Sequence, residues 1–209
     1  QSEVSGRIDF IGFSDGQFVK KDTLLVGLDA TLPLAQFLKD RAEYKLASSN
    51  LNRSRNLHEK NYLSPRALDE IIASEEISNA KMQLSKAILE QYKIKAPFDG
   101  KIGLRKISIG SYVQNGQELL KLQDLSIMKF DFQVPERFSN LVSVGQHLTI
   151  ETNTFQNHID GIVSAIDVGN QNKGRLLVLR TLVENQKGLL RSGMFGKVNL
   201  TIKKKIRRL

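Results

Sequence analysis

"VSGRIDFIGFSDGQFVKKDTLLVGLDA" (Val4–Ala30) and "FDGKIGLRKISIGSYVQNGQELLKLQD" (Phe98–Asp124) are one motif written twice. A constant offset of 94 positions aligns them without a gap. It matches Gly6 with Gly100, Ile8 with Ile102, Ser14 with Ser108 and Gly16 with Gly110, then Val19 with Val113, Leu25 with Leu119 and Leu28 with Leu122. Phe18 falls on Tyr112 and Arg7 on Lys101. Each copy reads as short strands joined by tight turns, with Gly16 or Gly110 free to take a positive φ. Neither copy carries enough apolar surface to be stable alone. The two are therefore expected to pack face to face as a small β-sandwich with a pseudo-two-fold axis.

Between the copies lies a helix-period segment. Thr31 is the expected N-cap of a first helix, and Pro33 sits in its first turn, where a missing N–H costs little. Phe37, Tyr44 and Leu51 recur every seven residues, so they share a face. A second helix is expected to start at Ser64 and Pro65, with Asp69 and Glu70 near its positive end. Leu68, Ile71, Met82, Leu89 and Tyr92 follow three- and four-residue steps. Ala73, Ile77, Ala80, Leu84 and Ala87 follow a parallel set of steps, which asks for a further packing partner. The segment thus reads as an antiparallel coiled-coil hairpin turning at about Asn61–Ser64, with arms of about 27 residues spanning roughly 40 Å.

The rest of the composition excludes more than it assigns. The 209 residues are 40% apolar and 25% charged, as in a folded protein with one or two cores. There is no cysteine, so disulfides and thiolate metal sites are absent. No stretch has the length of a membrane span, and "QSEVSGRIDFIGF" has neither the basic start nor the apolar run of a signal peptide. The chain reads as beginning inside a domain. Its net charge is +9. That balance suits nucleic acid, an anionic membrane surface or an acidic protein. The densest basic run, Lys203–Arg208, reads as a solvated tail, and no nucleic-acid motif accompanies it. His58, His147 and His158 are scattered, as are Met82, Met128 and Met194, so no soft-metal cluster is expected. All three histidines read as solvated surface residues, and His58, near the hairpin turn, is the one whose place would let it respond to acid. No phosphate loop or paired catalytic carboxylates are present, so no enzyme and no cofactor are expected.

The interrupted sandwich resembles the lipoyl, or biotinyl-carrier, fold split between its halves. The hairpin that would present a modified lysine is replaced by the helical insertion. That arrangement resembles the periplasmic adaptor, or membrane fusion protein, family of bacterial tripartite pumps of the RND type. In that family an Arg, a Leu four residues on and a Ser seven further on mark the hairpin tip. Here Arg53, Leu57 and Ser64 have that spacing, in "RSRNLHEKNYLS". The last third continues the resemblance: "LLRSGMFGKVNL" (Leu189–Leu200) is similar to the Leu-x-x-Gly-Met signature closing the family's β-barrel domain, with Ser192 where Pro is common.

The expected fold is α+β and multidomain: a split lipoyl-like β-sandwich with an inserted helical hairpin, followed by a β-barrel. Residues 1–30 and 94–125 would form the sandwich halves, 31–93 the hairpin, 126–202 the barrel, and 203–209 a tail or the start of a membrane-proximal region. The resemblance implies a non-catalytic adaptor between an inner-membrane RND transporter and an outer-membrane channel for multidrug efflux. It implies a ring, a hexamer, in the periplasm of a Gram-negative-type envelope, with the full-length protein anchored at the inner membrane and no nucleic-acid partner. Arg53, Leu57 and Ser64 would meet the channel. Each also has a plainer role, as a solvated charge, a seam residue and an N-cap respectively. An adaptor of an ATP-driven exporter or secretion system is the alternative within the family, and a lysine-modified carrier domain the alternative outside it.

Overall fold

Apolar residues at equivalent places in the two repeats converge on one core. The computed structural model describes residues 1–152, 155–167, 176–185 and 188–200. Two compact units result, 1–123 and 124–209. In the first, the strands of the leading repeat are β1 (Gly6–Ile11), β2 (Phe18–Val19) and β3 (Leu24–Leu28). Helices α1 (Thr31–Glu59) and α2 (Pro65–Glu90) and strand β4 (Lys93–Lys95) follow. The second repeat supplies β5 (Gly100–Ile102), β6 (Tyr112–Val113) and β7 (Leu122–Gln123).

The repeats interlock. One sheet runs β4-β3-β1-β6 and the other β2-β5-β7, so each repeat lends one strand to the other's sheet. Gly6 pairs with Val113 and, by the same symmetry, Val19 with Gly100. The Ile8 amide donates to Ser111 O at 2.9 Å, and its counterpart Ile102 donates to Gln17 O at 2.9 Å. Lys21 N donates to Asp99 Oδ1 at 2.6 Å, and Asn115 N to Ser5 Oγ at 3.1 Å. The core holds the matched pairs Ile8 and Ile102, Val19 and Val113, Leu25 and Leu119, none more than 4% exposed. Each such side chain contributes about 1.5–3 kcal/mol on burial, and half of them come from each repeat.

The hairpin springs from between β3 and β4, which are neighbours in one sheet. Its start differs from the sequence expectation: Thr31 is the first helical residue and caps nothing. Asp29 does that work, its Oδ1 accepting the Thr31 amide at 3.2 Å and the Thr31 hydroxyl at 2.6 Å. Those two bonds, aided by Arg7, hold the Asp29 carboxyl below its ordinary value against partial desolvation. An aspartate reaches the first free N–H of a helix from two residues upstream, as in an Asx turn. The second repeat ends the same way, with Asp124 Oδ1 accepting Ser126 N at 2.9 Å.

The second unit is antiparallel throughout. Its strands are β8 (Ile127–Pro135), β9 (His147–Thr152), β10 (Phe155–Asp167), β11 (Leu176–Glu184) and β12 (Gly196–Leu200), with a 3₁₀ turn at Glu136–Leu141. The sheet order is β12-β9-β10-β11-β8. Its two edges nonetheless meet: a methyl on Gly196 of β12 would lie 3.4 Å from Phe130 Cε2 of β8 and 3.0 Å from Glu151 O. A sheet whose edges touch is curled into a barrel. Val163, Leu179, Leu148 and Ile150 fill it. Arg180 and Asp131, directly paired across β11 and β8, form a two-pronged ion pair at 2.7 and 2.7 Å. The basic run Lys203–Arg208 lies outside the described residues.

Candidate functional site

The hairpin seam is a sequence of compromises. Phe37, Tyr44, Leu51 and His58 occupy one seam position of α1, and Asp40, Ala47 and Ser54 the next, all at least half-buried. On α2 the seam passes through Leu68, Ile71, Met82, Ser85 and Leu89. Asp40 and Ser85 are 7% and 5% exposed. Gln36 Nε2 donates to Asp40 Oδ1 at 2.8 Å. That bond, with help from Ser85, holds the Asp40 carboxyl below its ordinary value in spite of desolvation. A polar residue in an otherwise apolar seam costs stability and fixes register.

At the far end, α1 stops in a Schellman motif. Asn61 takes the left-handed conformation (φ 60°). Its amide donates to His58 O at 2.8 Å, and the Tyr62 amide donates to Leu57 O at 2.9 Å. These satisfy carbonyls that the helix leaves open. The turn is tied once more by the His58 ring: Nδ1 lies 2.8 Å from Leu63 O, so that nitrogen carries the proton and donates. His58 is thus a half-buried structural clamp and not a solvated surface residue.

The three tip candidates differ in what they have free. Leu57 is 46% exposed, one turn above Arg53 on the same side of α1. Arg53 is exposed, and its guanidinium donates to Asn50 Oδ1. Ser64 is exposed too, but its Oγ accepts the Ala67 amide at 3.3 Å, capping α2, with Pro65 at the first helical position. The turn separates Ser64 from the other two. Tyr62, 78% exposed on the turn itself, was not singled out by sequence spacing. The signal was there in "NYLSP": Asn at a helix end followed by an aromatic is a Schellman sequence. Along the chain Arg53, Arg55, Lys60 and Arg66 flank Leu57 and Tyr62, with Glu59 the one acid between them, and Arg66 is paired with Glu70 at 3.4 Å. The tip is therefore a small apolar point in a basic collar, suited to a partner with acidic or carbonyl-rich edges around an apolar notch.

The feet of the hairpin are tethered. Arg7 Nη2 meets Asp29 Oδ2 at 3.1 Å. Glu90 meets Lys93 at 3.2 Å and Lys95 at 3.7 Å. Those lysines hold the Glu90 carboxyl below its ordinary value. Further along, the stretch similar to the family's barrel signature forms a tight turn before β12: Gly193 has φ 84°, and the Met194 amide donates to Arg191 O at 3.3 Å. Phe195, which follows, is 90% exposed.

The family described as "RND MFP, barrel-sandwich hybrid domain" matches residues 1–123. "CusB-like, beta-barrel domain" matches residues 130–204. The multidrug resistance protein MdtA of Xenorhabdus bovienii is 27% identical over 214 residues, covering 91% of this chain and 48% of that one. The cobalt-zinc-cadmium resistance protein CzcB of Cupriavidus metallidurans is 27% identical, covering 94% of this chain and 41% of that one. The chain spans about half the length of the curated relatives it matches. Among solved structures, a MacA-MexA chimera carrying the Pseudomonas aeruginosa MexA α-hairpin superposes with a TM-score of 0.83 at 24% identity, covering 96% of this chain and 75% of that one. That likeness speaks to the fold.

Proposed function

Since this chain belongs to the membrane fusion protein family of RND efflux systems, we propose that it is the central part of a periplasmic adaptor. The adaptor links an inner-membrane RND transporter to an outer-membrane channel for multidrug efflux. The observation that carries this reading is the hairpin: a long, two-footed arm rooted in a split sandwich and ending in an exposed apolar point within a basic collar. An arm of 29 and 26 helical residues reaches about 40 Å from its base. The work of transport is done by the transporter, and the adaptor is non-catalytic. Copies stand side by side in a ring, a hexamer, so that their hairpins form a tube whose end meets the channel. Arg53 and Leu57 make that contact directly, while Ser64 shapes the turn and offers its hydroxyl hydrogen. The barrel unit contacts the transporter, and the full-length protein is held at the inner membrane.

The test is drug susceptibility in a strain lacking the gene, complemented with full-length wild type, Arg53→Asp or Leu57→Asp at matched expression. Wild type is expected to restore resistance, and both variants to lose it while still accumulating in the envelope. Restoration by Leu57→Asp would remove the tip from the docking surface. The name of the CzcB relative motivates a second reading, a divalent-cation pump. The same strains challenged with zinc, cobalt and cadmium decide between them.

A further inference from the structure

One turn of the second repeat carries a reactive pair. Asn115 is followed by Gly116, and none of the chain's other asparagines is followed by glycine. Such a pair can close on itself. The glycine's backbone nitrogen attacks Cγ of the asparagine, and its missing side chain leaves the approach unhindered. The new N–Cγ bond completes a five-membered succinimide. The Cγ–Nδ2 bond breaks, and the proton from the backbone nitrogen leaves with ammonia. Water then opens the ring at either carbonyl. The product is aspartate, or isoaspartate, whose main chain is one carbon longer.

The fold holds the pair out of this reaction. Gln117 N donates to Gln114 O at 3.1 Å, closing a turn over Asn115 and Gly116. Of these two central residues Gly116 alone has a positive φ, 80°, which makes the turn type II. In such a turn the first central residue has ψ of about +120°, which sets the Gly116 nitrogen well away from the Asn115 side chain. Two bonds pin that arrangement. The Gly116 amide donates to Ser2 O at 2.8 Å, so the hydrogen that must be lost is already held. The Asn115 amide donates to Ser5 Oγ at 3.1 Å. Ser2 is 2% exposed, and its own amide donates to Gln117 O at 3.0 Å. Asn115 itself is exposed, so water reaches its side chain. The matched turn of the first repeat lacks the chemistry. Lys21 and Asp22 stand there, and the Asp99 carboxylate accepts the Lys21 amide at 2.6 Å.

We infer that Asn115 is a site of spontaneous deamidation, and that the segment Ser2–Ser5 guards it by clamping the turn. The reaction runs one way. A main chain lengthened by a carbon cannot set Gln117 N on Gln114 O and Gly116 N on Ser2 O together. A turn that opens and reacts therefore does not reseal. The pair keeps a covalent record of each productive opening of this junction between the two repeats.

The test uses the full-length protein, kept at mildly alkaline pH either folded or in strong guanidinium chloride. Digests are read by mass spectrometry for conversion of Asn115 to aspartate and isoaspartate. The unfolded chain is expected to convert at Asn115 ahead of every other asparagine, and the folded protein at least about tenfold more slowly. Ser5→Ala should speed the folded rate several-fold and leave the unfolded rate unchanged. Ser5→Asp offers the Asn115 amide a carboxylate, as Asp99 does for Lys21, and should slow the folded rate. Equal rates in folded and unfolded wild type would overturn the guard. So would a folded rate indifferent to both Ser5 variants. Another asparagine converting first in the unfolded chain would overturn the site. After refolding, molecules with isoaspartate at position 115 should melt below unmodified ones. Equal melting would mean that the turn reseals, and would overturn the one-way step.

Discussion

Asp22 and Gly116 hold the same place in the two repeats, and both lie in the left-handed region, at φ 65° and φ 80°. The Asp22 amide donates to Ala96 O at 2.8 Å, and the Gly116 amide to Ser2 O at 2.8 Å, so the turn is identical in function as well as in shape. A residue with a Cβ is strained there and glycine is not. Asp22→Gly is therefore expected to stabilise the first unit by about 0.5 kcal/mol, and Gly116→Ala to destabilise it by about 1 kcal/mol. Denaturant midpoints check both. A destabilised Asp22→Gly would mean that the carboxylate has a favourable role outweighing its strain.

Ser64 separates capping from docking. Ser64→Ala removes the acceptor for the Ala67 amide and should cost about 1 kcal/mol, whereas Ser64→Asp keeps the cap. Faster amide exchange at Ala67 in the first variant and recovery in the second would show the capping role. If efflux recovers with it, the serine matters to the pump through the shape of the turn. If efflux stays impaired in Ser64→Asp, the hydroxyl itself meets the partner.

The barrel unit should soften in acid through Asp131. Arg180 holds that carboxyl below the ordinary aspartate value of 3.8. A lowered folded-state value means the ion pair stabilises the fold above that pH and ceases to as the pH falls through it and below. Both side chains are about half exposed, 49% and 46%, so solvent limits the gain to under about 1 kcal/mol. Asp131→Asn is expected to lower the melting temperature slightly at pH 7 and by less at pH 3. An equal loss at both would assign the effect to packing.

Asn185 should prove far more costly to change. It is 7% exposed. Its Nδ2 donates to Leu125 O at 2.9 Å and Leu190 O at 3.0 Å, and its Oδ1 accepts the Leu190 amide at 2.9 Å. Asn185→Ala strands those groups and should destabilise the second unit by about 2–3 kcal/mol. A calorimetric loss below about 0.5 kcal/mol would show that water replaces the amide without penalty.

The interrupted repeat was legible because its symmetry is written in side chains: Ile8 and Ile102, or Val19 and Val113, are the same residue doing the same thing. The hairpin was legible for the same kind of reason, since Phe37, Tyr44 and Leu51 repeat at the helix period. What spacing could not show was which local bond wins. Thr31 had the chemistry of a cap, yet Asp29 two residues earlier reached the free amide first. His58 looked solvated because nothing in its neighbourhood announces the Leu63 carbonyl that the Schellman turn brings back to it. The curl of the barrel, read from Phe130 and Gly196, joins residues far apart in the chain and leaves no periodic trace.

The insertion also bears on how the chain finds its fold. Strands β3 and β4 must pair across roughly sixty intervening residues, a closure whose entropic cost grows with the logarithm of the loop. Helix contacts are local and form on the microsecond scale, ahead of such pairings. Once α1 and α2 zip together from the turn at Asn61, the ends of β3 and β4 are delivered side by side, and the effective loop is nearly gone. A chain carrying Asp40→Pro, with α1 broken near its foot, should thus fold slowly at the sandwich, with β3 and β4 late to find each other. The arm that reaches furthest from the sandwich is in that sense its folding chaperone, carried within the same polypeptide.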